Sequence, residues 1–439
     1  MGYLISNVHI LTMNKTMDAY PDGAILIEGD RILRVAERSA LAGEAKNQNH
    51  RVIDGRGAIA VPGFINAHTH SGMIPFRSLG DDCADRLRRF LLPLENRAMT
   101  GELASLSALY ACAEMLLAGI SCFVDMYYFE DTLAAAVKAS GIRAFLGQTV
   151  MGEPVCDSRE PYGGLLLGER FIQKWQGDEL ITPMIAPHAT NTNSPEKIRE
   201  AAALAARYDV PITMHVSEMD YEMEYFRRAY GMTPIGFLDS LGVLSPRFIA
   251  AHSIHSTPED IRILARRGAA VAHCIGANTK SAKGVAPVKE MLEAGVKVAL
   301  GTDGPASGNT LDLFTQFSLF AKFHKTAHRD RILFPASAIL QLATSGAAAA
   351  LGIEDQVGSI EPGKKADITL VETESVNMFP CFDPYSVLVY SATAANTDTV
   401  FVNGRLLVRG KKLTGLSLPD IRRNLDEAMG IFRREATAI

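Results

Sequence analysis

The sequence predicts an α/β protein: a (β/α)8 barrel of the TIM type, with a small β-sandwich domain formed by both chain ends. Three observations lead there. Short apolar runs alternate with helix-patterned segments through the middle of the chain, the rhythm of a parallel sheet wrapped by helices. Both ends carry β-favouring runs broken by tight-turn signals instead. Histidines and acids recur where the middle strands run out, the rim where such barrels place their chemistry.

At the N-terminus, "YLISNVHILTM", "GAILIEGDRILRVAE" and "RVIDGRGAIAVPG" are separated by Asp-Gly, Gly-Asp and Gly-Arg-Gly, which reads as a small antiparallel sheet. The texture returns in "GSIEPGKKADITLVE" and "TDTVFVNGRLLVRGKKL", so residues 1–57 and 358–439 are expected to form one β domain around a barrel of residues 58–357. Barrel strands are expected at "AIAVPGFINAH", "SCFVDMY", "RAFLGQTV", "TPMIAPH", "PITMHVSE", "RFIAAHS", "AAVAHC" and "KVALGTDG". Between them, "GELASLSALYACAEMLLAG" and "SPEKIREAAALAARYDV" show helical periodicity after a polar start.

Composition narrows the function. The 439 residues are 47% hydrophobic and 21% charged, which suits a folded chain of one large and one smaller domain. A net charge of −5 gives no electrostatic reason for a nucleic-acid or anionic-membrane partner. No apolar run reaches membrane-spanning length. The opening residues lack a basic leader followed by an apolar stretch, so no secretory signal is expected. Gly2 and Ser6 match a myristoylation pattern, but the strand-like alternation after them marks a chance match. The six cysteines are dispersed, as in a reducing, cytoplasmic protein, and without Cys-x-x-Cys any metal falls to histidine and carboxylate.

Such ligands stand at the strand ends. His68 and His70 close the first strand, and side chains at i and i+2 of a strand point the same way, toward one small object. His188, His215 with Glu218, His252, His273 and Asp303 follow at the ends of strands four to eight. A lone histidine there is an ordinary structural residue; five strands ending alike is a constellation. His68, His70, His215 and Asp303 make three imidazoles and one carboxylate, a mononuclear hydrolytic set with room for water. One divalent ion, Zn2+ with Fe2+ as the alternative, would lower the pKa of bound water from about 15.7 toward neutrality. Glu218, three residues past His215, is placed to carry protons.

The chain resembles the amidohydrolase superfamily, in the branch of S-adenosylhomocysteine, 5-methylthioadenosine and related nucleobase deaminases. The resemblance runs through "PGFINAHTHSGMIPFRSLGDD", "LPLENRAMT", "GISCFVDMYYF", "APHATNTNS", "MHVSEMDYE", "IAAHSIHS", "GVAPVKEML", "ALGTDGPASGNTLDLF" and "GSIEPGKKADITLVE". It implies His68, His70, His215 and Asp303 as metal ligands, with Glu218, His252 and Asp303 catalytic. Glu95 of "LPLEN" and His188 of "APH" match substrate contacts, and Arg86, Gln148 and Asn309 join them as candidate substrate-binding positions. The implied reaction is deamination of a small heterocyclic amine: a purine, pterin, pyrimidine, triazine or adenosine-like substrate. The implied assembly is a homo-oligomer, dimer or higher.

Retention of Glu218 favours an amine leaving group, which must be protonated, over chloride, which need not be. A triazine-type chlorohydrolase or N-dealkylating amidohydrolase is the alternative. A binuclear cyclic amidase would need a lysine at the end of strand four, where "APHAT" has none. The specificity region departs from the adenosine-type pattern: "CADRLRRFLLPLE" holds Arg86, Arg88 and Arg89, and "NTKSAKG" holds Lys280 and Lys283. These charges read either as a solvated rim or as a site for a more polar heterocycle.

Overall fold

The computed structural model describes residues 2–44 and 50–438. The strands are β1 (Gly2–Leu11), β2 (Ala19–Glu28), β3 (Arg31–Glu37) and β4 (His50–Pro62). Next come β5 (Phe64–Thr69), β6 (Ile120–Tyr127), β7 (Arg143–Val150), β8 (Ile181–Pro187), β9 (Ile212–Val216), β10 (Phe248–His252), β11 (Ala270–His273) and β12 (Lys297–Leu300). The last are β13 (Ile368–Val371), β14 (Thr397–Val402), β15 (Arg405–Arg409) and β16 (Lys412–Leu413).

β5 to β12 lie side by side in sequence order in one eight-stranded parallel sheet, the barrel. The Asp303 amide donates to the His68 carbonyl at 3.0 Å, joining the residues after β12 to β5. Every residue of β6 and β7 is buried, as expected of strands covered on both faces, and this is why they read as unbroken apolar runs. The helices begin and end on sequence signals. Helix Pro195–Tyr208 starts on Ser194, which accepts from the Lys197 amide, and carries Pro at its first position. Helix Pro258–Arg267 has a Thr257–Asp260 capping box and stops at Gly268.

The chain ends form the other sheet, in the order β16-β15-β14-β13-β4-β1-β2-β3. It is mixed, not antiparallel as the turn signals alone suggested. β1 pairs antiparallel with β2 but parallel with β4. β3 runs in the direction of β1, and β4 lies beside β1 in that same sense. Alternation sorts the side chains: Ile5, Ile25, Ile27 and Ile53 pack with Ile368, Leu370 and Phe401, while Leu4, Ala24 and Leu26 pack with Leu41.

The run "AIAVPGFINAH" is divided between the two sheets. Ala60 of β4 pairs with Leu370 of β13, and the barrel strand begins only at Phe64. Gly63 is the break, where an added Cβ would lie 2.3 Å from the Ser121 Oγ.

By packing, one compact unit gathers Met1–Asn66, Glu114–Cys122 and Asp312–Gly415, and the other Ala67–Ala113, Phe123–Leu311 and Leu416–Ile439. In the second, helix Gly430–Thr437 brings Phe432 edge-on to Phe76 at 4.7 Å between ring centres. No helix among the described residues is long and apolar enough to cross a membrane.

Candidate active site

Parallel pairing brings the C-terminal ends of β5, β9 and β10 and the residues after β12 to one rim, and the histidines converge there. The His215 Nε2 is 3.2 Å from the His68 Nε2 and 3.3 Å from the His70 Nε2. The His70 Nε2 is 3.2 Å from the Asp303 Oδ1. A tetrahedral ion with Zn–N bonds of about 2.0–2.1 Å spaces its ligand atoms roughly 3.3 Å apart, and each of these three separations is close to that edge length. His68, His252 and Asp303 form an overlapping group of potential ligands.

The tautomers agree with that use. The His70 Nδ1 donates to the Met126 carbonyl at 2.6 Å, and the His215 Nδ1 to the His188 carbonyl at 2.7 Å. A carbonyl only accepts, so each Nδ1 carries hydrogen and each Nε2 is turned toward the cluster. Burial, reinforced by neighbouring imidazoles, holds His68 and His215 well below the usual histidine range, which leaves them neutral. Burial also pulls on His70, but the hydrogen bond and charge of Asp303 outweigh it and push the imidazole up to about 9. Burial opposes ionisation of Asp303, yet His70 and the surrounding imidazoles hold its carboxyl well below the usual range. Two neutral imidazoles, a carboxylate and a third imidazole that would rather be cationic form a site built for positive charge. The donor set fits a divalent metal.

The backbone is strained where these side chains leave the strands. Ser217 (φ +52°), His252 (φ +69°), Ser253 (φ +48°) and Asp303 (φ +62°) all occupy the left-handed region without being glycine. Gly304 makes room beside Asp303, since an added Cβ there would lie 2.9 Å from the His70 Cβ.

Glu218 faces the cluster from beyond β9, its Oε1 3.7 Å from the His252 Nε2. Lys283 donates to the same oxygen at 2.5 Å. Burial raises the proton affinity of Glu218, but His252 and Lys283 overcome it and hold the carboxyl below its ordinary value. The His252 Nδ1 donates to the Asn278 Oδ1 at 2.9 Å, which aims Nε2 at Glu218 and at the Asp303 Oδ2, 3.9 Å away.

The remaining expected residues take varied places. Glu95 is buried, and burial pushes its carboxyl up to about 7. His188, lowered to about 4 by burial and then by His70, touches the Thr192 hydroxyl at 3.2 Å. Gln148 is occupied by protein: its amide nitrogen donates to the Asp157 Oδ2 at 2.8 Å and its oxygen faces the Glu130 amide at 3.3 Å. Arg86 donates to the Leu79 carbonyl at 2.7 Å and the Ala306 carbonyl at 2.5 Å, and pairs with Asp81 at 3.1 Å. Asn309 donates to the same Asp81 at 2.9 Å and accepts from Lys280. Arg86, Asp81, Lys280 and Asn309 thus tie together the loops after β5, β11 and β12.

Sequence reasoning missed three supporting residues. Asp125 on β6 is fully buried and accepts from the Ser71 amide (2.7 Å), the Ser71 hydroxyl (2.5 Å) and the Thr69 hydroxyl (2.7 Å), clamping both sides of His70. An acid inside an otherwise apolar strand was the available signal. Glu222 accepts from the Ser217 amide (3.1 Å), the Glu218 amide (2.9 Å) and the Thr190 hydroxyl, fixing the backbone that carries Glu218. Asn278, which orients His252, gave no signal in the sequence.

Comparison with known proteins agrees with this geometry. The profile described as "Amidohydrolase family" matches residues 59–407. The 5-methylthioadenosine/S-adenosylhomocysteine deaminase of Thermodesulfovibrio yellowstonii is 38% identical over 408 residues, covering 92% of this chain and 93% of that one. An adenosine deaminase from Xanthomonas campestris, solved with bound zinc, superposes with a TM-score of 0.94 at 28% identity, covering 100% of this chain and 99% of the other. An atrazine chlorohydrolase from Arthrobacter aurescens TC1, solved with zinc, gives a TM-score of 0.90 at 26% identity over 97% of this chain and 100% of the other. A barrel with a histidine–aspartate cluster at its rim and a profile match over most of the chain place this protein in the amidohydrolase family.

Proposed function

We propose that this chain is a metal-dependent aminohydrolase that deaminates a heterocyclic amine, taking water and an amino-bearing ring carbon to a ring carbonyl and ammonia. The observation that carries it is Glu218, a carboxylate 3.7 Å from the His252 Nε2, beside the rim where three histidines converge with Asp303. His68, His70, His215 and Asp303 would hold one divalent ion, zinc by the donor set. Such an ion acts as a Lewis acid that makes water acidic enough to attack at neutral pH.

The protein's own groups do the rest. Asp303, held ionised, can take a proton from water. Glu218, ionised at rest, takes one proton from the water and passes it to the ring nitrogen next to the amino-bearing carbon, which makes that carbon electrophilic, and the second water proton leaves with the departing nitrogen. His252, pinned by Asn278, faces both carboxylates and holds the incoming oxygen. Glu218 or Asp303 protonates the departing nitrogen. Glu95 and His188 line the substrate side of the cluster.

The zinc-bearing atrazine chlorohydrolase of the same fold supports a second reading, displacement of chloride or an alkylamine from a triazine. A panel of purines, pterins, pyrimidines, triazines and adenosine derivatives, assayed with zinc-loaded enzyme, separates the two. Ammonia release is expected, and chloride or a ring-opened compound as the preferred product overturns the proposal.

A further inference from the structure

Lys283 stands at the rim, against Glu218, with no task in the mechanism. It lies in the loop after helix Ile275–Lys280, where its amide donates to the Asn278 carbonyl at 2.9 Å. Asn278 is also the residue that orients His252. One short segment therefore sets both neighbours of Glu218. The Lys283 and Glu218 side chains are only 19% and 18% exposed, and their contact is 2.5 Å. Asp303 and Tyr221 are the other ionisable groups acting on the ammonium.

This pairing conflicts with the work assigned to Glu218. To serve a ring nitrogen, Glu218 must share or give up the oxygen that Lys283 occupies, and when it carries a proton it no longer neutralises the ammonium. A largely buried cation that loses its partner is costly unless another acceptor arrives. The substrate can bring one. A carbonyl on the ring atom after the nitrogen places its oxygen roughly 2.2 Å from that nitrogen, by standard bond lengths. That spacing runs beside the 2.5 Å separation of the carboxylate oxygen and the ammonium.

We propose that Lys283 is a specificity-determining residue that binds this carbonyl, so that the preferred substrate carries an amino-bearing ring carbon, a ring nitrogen and a carbonyl carbon in succession, with Glu218 on the nitrogen and Lys283 on the oxygen. Cytosine has the pattern with a ring nitrogen open to the proton, as has isoguanine in its N3–H form; guanine and pterin already carry hydrogen on that nitrogen, and adenine and 4-aminopyrimidine lack the carbonyl. The inference rests on Glu218 being the proton carrier.

The test uses matched pairs that differ in that carbonyl: isoguanine against adenine, as bases and as nucleosides, and cytosine against 4-aminopyrimidine as free bases. In any pair the zinc-loaded enzyme accepts, kcat/KM for the carbonyl-bearing member should be at least about tenfold higher, the selectivity expected when its absence strands a buried hydrogen-bonding group. Lys283→Met should collapse that ratio at least about tenfold, and Lys283→Arg should restore part of it. Metal content and thermal midpoint check that the variants are folded; where they are not, the wild-type ratio alone decides. Equal efficiency within accepted pairs, preference for the carbonyl-free member, or equal losses on both members in Lys283→Met overturns the inference. Glu218→Gln separates it from the reading beneath: full activity there removes the proton carrier itself, whereas an inactive Glu218→Gln with an unselective wild type removes only the role of Lys283.

Discussion

Glu218 sits between two positive influences, the Lys283 ammonium at 2.5 Å and the His252 ring at 3.7 Å, and they keep an otherwise buried carboxyl ionised. An ionised carboxylate outside the proposed ligand set can receive and release a proton, which defines what its removal should do. Glu218→Gln is expected to lose at least about a hundredfold in turnover while keeping its metal, because only the proton relay is gone. His252→Asn should behave similarly, and steady-state kinetics beside elemental analysis check both. Replacing His68 or His215 by Ala should instead remove most of the bound metal, each supplying one of four ligands. Retention of about one ion per chain in those variants would show that the ligands are misassigned. These residues were legible because chemistry demands particular side chains at particular strand ends. Asn278 and Glu222 were not, since an asparagine or a glutamate on a helix looks the same whether it orients a catalytic group or faces solvent.

Among the elements, β6 does more for the site than its burial suggests. Asp125 clamps Thr69 and Ser71, and the Met126 carbonyl takes the His70 Nδ1 hydrogen, so one strand sets the direction of a histidine that follows its neighbour. Asp125→Asn should therefore weaken metal affinity by about 10–100-fold while leaving the fold intact, the usual effect of losing a partner behind a ligand. Competition with a chelator at fixed zinc measures it, and unchanged affinity would make Asp125 merely a satisfied buried acid. The helix after β10 is a control at the same scale: Thr257→Ala removes half of a capping box and should cost about 1 kcal/mol of stability without touching metal content. Thermal unfolding reads that cost. Caps and turn residues announce themselves over three or four positions, and this is why helix starts were legible. The split of "AIAVPGFINAH" between two sheets was not, because an apolar run looks alike on either side of Gly63.

For the molecule as a whole, the cluster makes folding depend on pH when the metal is withdrawn. His70 is near 6.5 unfolded and about 9 folded, so its contribution is fully present below about pH 6.5 and disappears as pH rises through about 9. On the order of 3 kcal/mol is at stake. Metal-stripped protein is expected to lose thermal stability between about pH 6.5 and 9, while zinc-loaded protein, whose His70 needs no proton, should not. Unfolding midpoints across that window, with and without zinc, test it; parallel curves would mean that His70 is not where the cation binds. The sequence alone determined the barrel, since a strand–helix rhythm over some 300 residues closes in few ways, and it pointed to a histidine–aspartate cluster, since ends of parallel strands must share a rim. Only the tertiary structure decided that the chain-end sheet is mixed, that Arg86, Gln148 and Asn309 are engaged by protein groups, and that Lys283 lies against Glu218. Those outcomes depend on contacts between residues far apart in the chain, and local periodicity and spacing carry no record of which distant partner a side chain meets.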